Sequence, residues 1–153
     1  MKLIAAARRN QRESAGLDRP LERLLNRIDR TRGDIFLRAD FADLGSYDQV
    51  GRALRQLVQR GQLMKVGFGI YSRAVKSPFD DKPIPPKGLS TLREALERVG
   101  IVTRPSCAEQ DYNTGRTTQV PTGRVVGVLR RVRRQIGYNG FRLTFERARP
   151  TCR

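Results

Sequence analysis

The stretch that most constrains the fold runs from Ser46 to Arg73, "SYDQVGRALRQLVQRGQLMKVGFGIYSR". Ser46 and Gln49 have the spacing of a capping box, in which each side chain bonds the other residue's backbone at a helix start. Apolar residues then recur at intervals of three and four, and Gly61 follows the last of them: Val50, Leu54, Leu57 and Val58. This pattern predicts a helix that buries one face and ends at Gly61.

After Gly61 the apolar pattern shortens to the period of a strand. Leu63 to Val66 and Ile70 to Arg73 flank the tripeptide Gly67-Phe68-Gly69, and glycines are the residues that tight hairpin turns require. We therefore expect a glycine-tipped ribbon directly after the helix.

Upstream of this unit, residues 19–30 carry a second apolar helical stripe, made by Leu21, Leu24, Leu25 and Ile28. Ile35 to Leu37 form a short apolar entry, and Phe41 with Leu44 predicts one or two turns of another helix ended by Gly45. Three helices followed by a ribbon is the order of a winged helix-turn-helix, in which the helix after the turn enters the major groove of DNA.

In that interpretation the third helix reads bases and the ribbon is the wing. The expected DNA-binding residues of the helix are polar or aromatic: Ser46, Tyr47, Gln49, Arg52, Arg55 and Gln56. Arginine and glutamine bond guanine and adenine edges in a bidentate manner. The wing would contribute Lys65, Phe68 and Arg73. The alternatives are an ordinary amphipathic helix with a solvated face, and a winged helix that binds protein.

Charge supports a polyanionic partner. The chain has 31 basic residues against 15 acidic ones and a formal net charge of +16. Most of the basic residues are arginine, whose planar fork suits phosphate and guanine. Codon usage in a GC-rich genome would also raise the arginine content, but it does not account for the deficit of acids. We expect double-stranded DNA as the partner.

The overall expectation is an α+β fold with an N-terminal winged helix-turn-helix and a small α+β C-terminal domain. The predicted segments are an arm (1–18), the winged helix (19–74), an extended proline-rich linker (75–88) and the C-terminal domain (89–153). In the last segment we expect a helix from Thr91 capped with Glu94, a helix capped by Ser106 and Glu109, and a hairpin that turns at Asn139-Gly140.

Four arginines cluster in the C-terminal segment: Arg130, Arg131, Arg133 and Arg134. From Tyr112 to the end of the chain there is a single acidic residue, Glu146. One interpretation is a second contact with the backbone of DNA or RNA. The other is the solvated face of a strand that enters the hairpin and discourages edge-to-edge association.

Several functions are disfavoured by the sequence. The chain has no histidine, no phosphate-binding glycine loop and no nucleophile elbow, so we expect no enzyme. Two cysteines, Cys107 and Cys152, are interpreted as incidental, and we expect neither a metal site nor a cofactor. No apolar run approaches the roughly 20 residues of a membrane span. We expect a soluble cytoplasmic protein that does not bind membranes; its oligomeric state is left open.

Two segments resemble a known family. "GRALRQLVQRGQLMKVGFGIYSR" is similar to the N-terminal winged helix of AbiEi-type antitoxins, the regulator half of bacterial abortive-infection toxin–antitoxin pairs, and "NTGRTTQVPTGRVVGV", from Asn113 to Val128, is similar to a segment of their C-terminal region. The two matches lie within a span from Leu21 to Phe145, and the part after the linker is shorter than the family's C-terminal domain. The resemblance implies autorepression through the winged helix and antitoxin activity in the C-terminal region, with a cognate toxin as partner.

Two functions from different classes follow from the sequence. The first is a sequence-specific DNA-binding repressor, the antitoxin of such a pair. The second is a module that binds a protein or an RNA through its basic C-terminal half, with the winged helix as a scaffold.

Overall fold

The computed structural model describes residues 19–150, and their fold is mixed α+β. The predicted arm (1–18) and Cys152 lie outside the described residues. The helices are α1 (19–30), α2 (Tyr47–Gln59), α3 (Leu89–Arg98) and α4 (Cys107–Asn113), with a 3-10 turn at Arg38–Phe41. The strands are β1 (Ile35–Leu37), β2 (Leu63–Gly67), β3 (Ile70–Arg73), β4 (Val75–Lys76), β5 (Pro83–Ile84), β6 (Thr103–Arg104), β7 (Val125–Val128), β8 (Gly137–Tyr138), β9 (Phe141–Arg142) and β10 (Thr144–Arg147).

Helix α2 begins and ends as its sequence predicts. Ser46 Oγ accepts a hydrogen bond from the Gln49 N–H (3.3 Å), and Gln49 Oε1 accepts one from the Ser46 N–H (3.0 Å). At the other end Gly61 has a φ of 75°, and the Gln62 N–H donates to the Leu57 carbonyl (3.0 Å). Glycine adopts this left-handed conformation at little cost, so the bond closes the last helical turn.

The first sheet has the strand order β1-β3-β2, and all of its pairs are antiparallel. β1 pairs with β3 through Phe36 opposite Tyr71, and β2 with β3 form the expected ribbon, whose tip is Gly67-Phe68-Gly69. Because side chains alternate along a strand, the two faces of this sheet enter different cores.

One core lies between this sheet and the first two helices. Phe36, Leu63 and Tyr71 from the sheet pack with the apolar stripes of α1 and α2, including Leu24, Leu54 and Leu57. The other core lies on the opposite face. There Ile35, Met64, Val66 and Ile70 pack with α3 and with C-terminal residues that include Val126, Ile136 and Leu143. The sheet is thus shared between the two halves of the chain.

The C-terminal half contains a second three-stranded sheet and a hairpin. β7 is the central strand, parallel to β10 and antiparallel to β6. The hairpin β8-β9 pairs Tyr138 with Phe141, as the Asn139-Gly140 turn predicts, and both turn residues have positive φ. Ser106 and Glu109 cap α4 reciprocally, which confirms that prediction.

Four local expectations need correction. The apolar entry Ile35–Leu37 is strand β1. The expected extended linker contains the ribbon β4-β5, which pairs Val75 with Ile84. Helix α3 begins at Leu89 rather than Thr91, whose Oγ1 instead accepts a bond from the Lys87 N–H (3.1 Å). Residues 129–136 are irregular, so the alternative that the arginine cluster lies on a strand face is wrong. The predicted domain boundaries remain a prediction.

Within residues 19–150, no helix has both the length and the apolar character needed to cross a membrane.

Candidate nucleic-acid interface

Helix α2 presents a polar face to solvent because its apolar stripe is buried. Val50, Leu54 and Leu57 are at most 2% exposed, whereas Arg52 and Arg55 lie on the exposed side. Arg55 Nε donates weakly to the Gly51 carbonyl one turn earlier (3.4 Å). The side chain of Arg52 makes neither a hydrogen bond nor an ion pair with any described residue, so its whole guanidinium is available to a ligand.

The other predicted residues of α2 differ in how free they are. Ser46 and Gln49 are exposed, but their polar groups are engaged in the capping box. Gln56 is half-buried, and its Oε1 is enclosed without a hydrogen-bond partner among the described residues. Tyr47 is 71% exposed at the first position of the helix. Among the predicted residues of α2, Arg52 therefore has a side chain that is both exposed and without an internal partner in the described part of the chain.

Arg38 connects the ribbon tip to α2, a role that the sequence did not reveal. Its backbone N–H donates to the Gly69 carbonyl (3.0 Å), and its Nη2 donates to the Tyr47 carbonyl (2.8 Å). The guanidinium carbon also lies 3.5 Å from the centre of the Tyr47 ring, a cation–π contact. A Cβ at Gly51 would lie 2.7 Å from Nη2, so the absent side chain leaves the space that Arg38 fills. The tip and the first turn of α2 are thus fixed to one residue.

Two predicted wing residues lie at or near the ribbon tip. Phe68 is 84% exposed, and Lys65 is exposed on β2 with its Nζ 5.7 Å from the centre of the Phe68 ring. Lys65 has no carboxylate partner among the described residues. Together these two residues give the tip a cation and an apolar ring.

Arg73, the third predicted wing residue, lies at the base of the ribbon and is a structural residue here. Its Nη2 donates to the carbonyls of Ile28 (2.6 Å) and Thr31, and its Nε donates to that of Gly33 (3.2 Å). It also pairs with Asp34 (3.6 Å). Because these bonds tie β3 to the end of α1, the assignment of Arg73 to the wing interface is corrected, and we leave it out of the candidate site.

The cluster Arg130, Arg131, Arg133 and Arg134 lies in an irregular segment, residues 129–136, which we call the arginine segment. Ile136 is fully buried and Val132 packs against the same core, so the segment is anchored at these two positions. Arg133 and Arg134 lie between these anchors, and Arg130 and Arg131 directly precede Val132. All four arginines are exposed, and their side chains form neither hydrogen bonds nor ion pairs with the described residues. Their predicted contact with a nucleic-acid backbone stays a prediction.

The structure brings the ribbon tip and the arginine segment together. Lys65, Phe68, Arg133 and Arg134 line one groove, which β8 and β9 complete with Tyr138 and Arg142. A second groove, which includes the exposed side chains of Val102 and Leu129, is lined by all four arginines of the cluster. Arg133 and Arg134 therefore lie at both grooves, whereas Arg130 and Arg131 do not line the first.

Several acidic residues are engaged in contacts that serve the fold. Arg27 pairs with Asp43 (2.6 Å) between α1 and the 3-10 turn, and Arg93 pairs with Glu109 between α3 and α4. The hydrogen bond from Arg27 lowers the pKa of Asp43 below its ordinary value, and the same bond raises the pKa of Arg27. Glu146, the acid of the C-terminal stretch, accepts a bond from the Cys107 N–H. These carboxylates are thus engaged away from the arginine segment.

Cys107 is disulfide-bonded, so the interpretation of this cysteine as incidental is wrong. The spacing of two isolated cysteines contained no signal for a bond, because pairing depends on tertiary proximity.

Comparison with known proteins identifies a family. Neither a curated protein nor a solved structure matches the chain. The model of one family, DUF6088, described as a family of unknown function, matches residues 23–152 and so spans most of the chain. The chain therefore belongs to the DUF6088 family.

Proposed function

We propose that this protein is a sequence-specific DNA-binding transcriptional regulator that reads bases with α2 and contacts the backbone with the ribbon. The observation that carries the proposal is the unpaired, exposed Arg52 on a capped helix whose first turn is joined to the ribbon tip by Arg38. A helix with free arginine on its outer face and a rigidly attached ribbon suits the major groove and the adjacent backbone.

The element order supports an interpretation as a winged helix-turn-helix. α1 is followed by β1, a 3-10 turn, α2 and the ribbon, and β1 closes the sheet by pairing with β3. In this interpretation the 3-10 turn is a shortened second helix, and α2 is the recognition helix. Its base-reading residues would be Arg52, Arg55 and Gln56, with Ser46, Tyr47 and Gln49 at the entry of the helix.

The distribution of charge supports a nucleic-acid partner over an acidic small molecule. Unpaired cations occur on α2, at the ribbon tip and on the arginine segment, and the net charge of +16 is large for this length. Each phosphate contact releases condensed counterions, so a broad basic surface favours a long polyanion. The proposed function is binding without catalysis, in the cytoplasm, where the DNA is accessible.

On the resemblance to AbiEi-type antitoxins, the bound DNA is the promoter of the protein's own operon, and the protein is the antitoxin of an adjacent toxin gene. This part of the proposal rests on the similarity of the two sequence segments. A nucleotidyltransferase-like toxin gene directly beside the coding sequence would support it, and the lack of a toxin partner would restrict the function to regulation.

A second candidate is a module that binds an RNA or a protein through the arginine segment. The observation that favours it is the absence of any carboxylate partner for these arginines within residues 19–150. In that case the winged helix is a scaffold, and α2 should show no preference among DNA sequences.

The test is a titration of the intact protein with the duplex upstream of its gene and with a shuffled duplex of equal length and composition. We expect at least about a thousandfold preference for the upstream duplex at physiological salt, as is typical of specific regulators. Equal affinity for the two duplexes would contradict the proposed function. Stronger binding to single-stranded RNA than to either duplex would favour the second candidate.

A further inference from the structure

The groove between the ribbon tip and the arginine segment has an unusual charge. We call it the ribbon groove; it encloses about 630 Å³ and is lined by Lys65, Phe68, Arg133, Arg134, Tyr138 and Arg142, among others. Among the described residues that line it, four are cationic and none is acidic. Such a groove attracts an anion. Because the β2-β3 ribbon and the β8-β9 hairpin both contribute lining residues, the groove suits an extended anion.

The walls of the ribbon groove are held in place by packing. Val66 at the tip and Ile136 on the arginine segment are both buried in the second core. A Cβ at Gly67 would lie 3.2 Å from the Gln135 carbonyl oxygen, so the two backbones approach closely there. The cations are therefore presented on fixed backbones before any ligand binds, which lowers the entropy cost of binding.

The cations of the groove lack internal partners. The side chains of Arg133, Arg134 and Arg142 form no hydrogen bond or ion pair with any described residue, and the Lys65 ammonium lies 5.7 Å from the centre of the Phe68 ring without a carboxylate partner among those residues. The acid nearest in sequence to Arg142, Glu146, is bonded to the Cys107 N–H. Like charges held together without counterions destabilise the compact state, and a bound anion removes that cost.

We propose that the ribbon groove binds the sugar-phosphate backbone of duplex DNA on the ribbon side of the base-reading helix. This inference rests on the proposed function, because the groove is continuous with the ribbon that Arg38 fixes to α2. Arginine forks bind phosphate oxygens in pairs, which suits Arg133 and Arg134.

The aromatic residues favour a duplex over a single strand. Binding of a single strand uses a succession of exposed rings on which bases stack. In the ribbon groove Tyr138 and Phe141 are half-buried, and their ring centres lie 5.7 Å apart, so they pack on each other. Phe68 is the exposed ring of this groove. One free ring among four cations fits a phosphate track rather than a stacking platform.

The test compares two double variants that remove equal charge from the same segment. R133Q/R134Q removes two cations that line the ribbon groove and also the second groove, and R130Q/R131Q removes two that line the second groove but not the ribbon groove. The measurement is the affinity of each intact protein for the upstream duplex, the shuffled duplex and a single-stranded RNA of equal length at several salt concentrations, with thermal melts to verify folding. All four side chains are exposed, so we expect melting temperatures like that of the unchanged protein.

We expect R133Q/R134Q to flatten the plot of log K against log salt by about two units, since each neutralised phosphate contributes roughly 0.9. R130Q/R131Q should change the slope by less than about one unit, because salt screens charges that do not touch the DNA. The preference for the upstream duplex should survive in both variants, since the base-reading face is unchanged.

Equal slopes for the two variants, or no change in either, would overturn the assignment of the ribbon groove. A larger loss on single-stranded RNA than on duplex would overturn it as well. Failure of the proposed function gives a different result: the unchanged protein would bind upstream and shuffled duplexes equally. In that case the slope on any duplex still decides whether the groove contacts phosphate.

Discussion

Two arginine-rich regions of the molecule use the same side chain in opposite ways. At the base of the ribbon, Arg73 donates to three carbonyls and pairs with Asp34, and its side chain is 28% exposed. On the arginine segment, Arg133 is exposed and has no partner among the described residues. A guanidinium that finds acceptors stabilises the fold, whereas one that finds none leaves its donors for a ligand.

Acidic residues accompany the paired arginines and are not seen beside the arginine segment in the described part of the chain. Asp34, Asp40 and Asp43 pair with Arg73, Arg98 and Arg27 around the end of α1 and the 3-10 turn. The arginine segment has no such neighbours among residues 19–150. The arginine segment therefore carries positive charge that no described acid balances by an ion pair.

The largest expected effect separates the helical core from the arginine segment. Leu54 is fully buried in the first core, so Leu54→Ala should lower the free energy of unfolding by about 2–5 kcal/mol. Leu129 begins the arginine segment and is 52% exposed, so Leu129→Ala should change the free energy of unfolding by about 0.5 kcal/mol or less. Chemical denaturation measures both; similar losses would mean that the segment is packed as tightly as the core.

A smaller effect tests the two arginines directly. Arg73→Met removes hydrogen bonds to the end of α1 while it keeps much of the side-chain volume, and we expect a loss of about 1–3 kcal/mol. Arg133→Met should be neutral within about 0.5 kcal/mol, because no internal bond is lost. Thermal melts at equal ionic strength provide the comparison. If Arg73→Met leaves the melting temperature unchanged, the hydrogen bonds of Arg73 do not contribute to stability. The proposed difference between the base of the ribbon and the arginine segment would then be wrong.

The smallest effect concerns pH. The pKa of Asp43 is lowered from its ordinary value of 3.8, chiefly by the hydrogen bond from Arg27. The stabilisation from this shift is complete above the unfolded value and is lost as pH falls through the lower folded value. Asp43→Asn should remove this contribution, so the difference in stability between variant and unchanged protein should narrow below about pH 4. A difference that stays constant from pH 6 to pH 2 would show that the pair does not contribute.

Local signals in the sequence predicted the local structure well. The Ser46–Gln49 capping box, the glycine after α2 and the Asn139-Gly140 turn each depend on a few adjacent residues, and the structure confirms all three. Their physical causes are short-range hydrogen bonds and backbone conformation, which a short segment specifies by itself.

Features that depend on contacts between distant segments could not be predicted from the sequence. Strand β1 has three residues and gains its identity from pairing with β3, which is distant in the chain. The roles of Arg38 and Arg73 depend on acceptors that other elements supply. The ribbon groove likewise forms because Val66 and Ile136 enter one core. The periodicity of the sequence does not encode these contacts between distant segments.

The central claim is that α2 reads bases, and Arg52 is its most direct test. Arg52→Ala and a control, Arg23→Ala, remove the same charge from exposed positions on α2 and α1. The measurement is the affinity of each variant for the upstream duplex and the shuffled duplex, titrated side by side at one salt concentration. We predict that Arg52→Ala loses about 1–3 kcal/mol on the upstream duplex and much less on the shuffled one, while Arg23→Ala leaves the preference unchanged. If Arg52→Ala loses the same affinity for both duplexes, base reading by α2 is contradicted, and Arg52 contacts phosphate instead of bases.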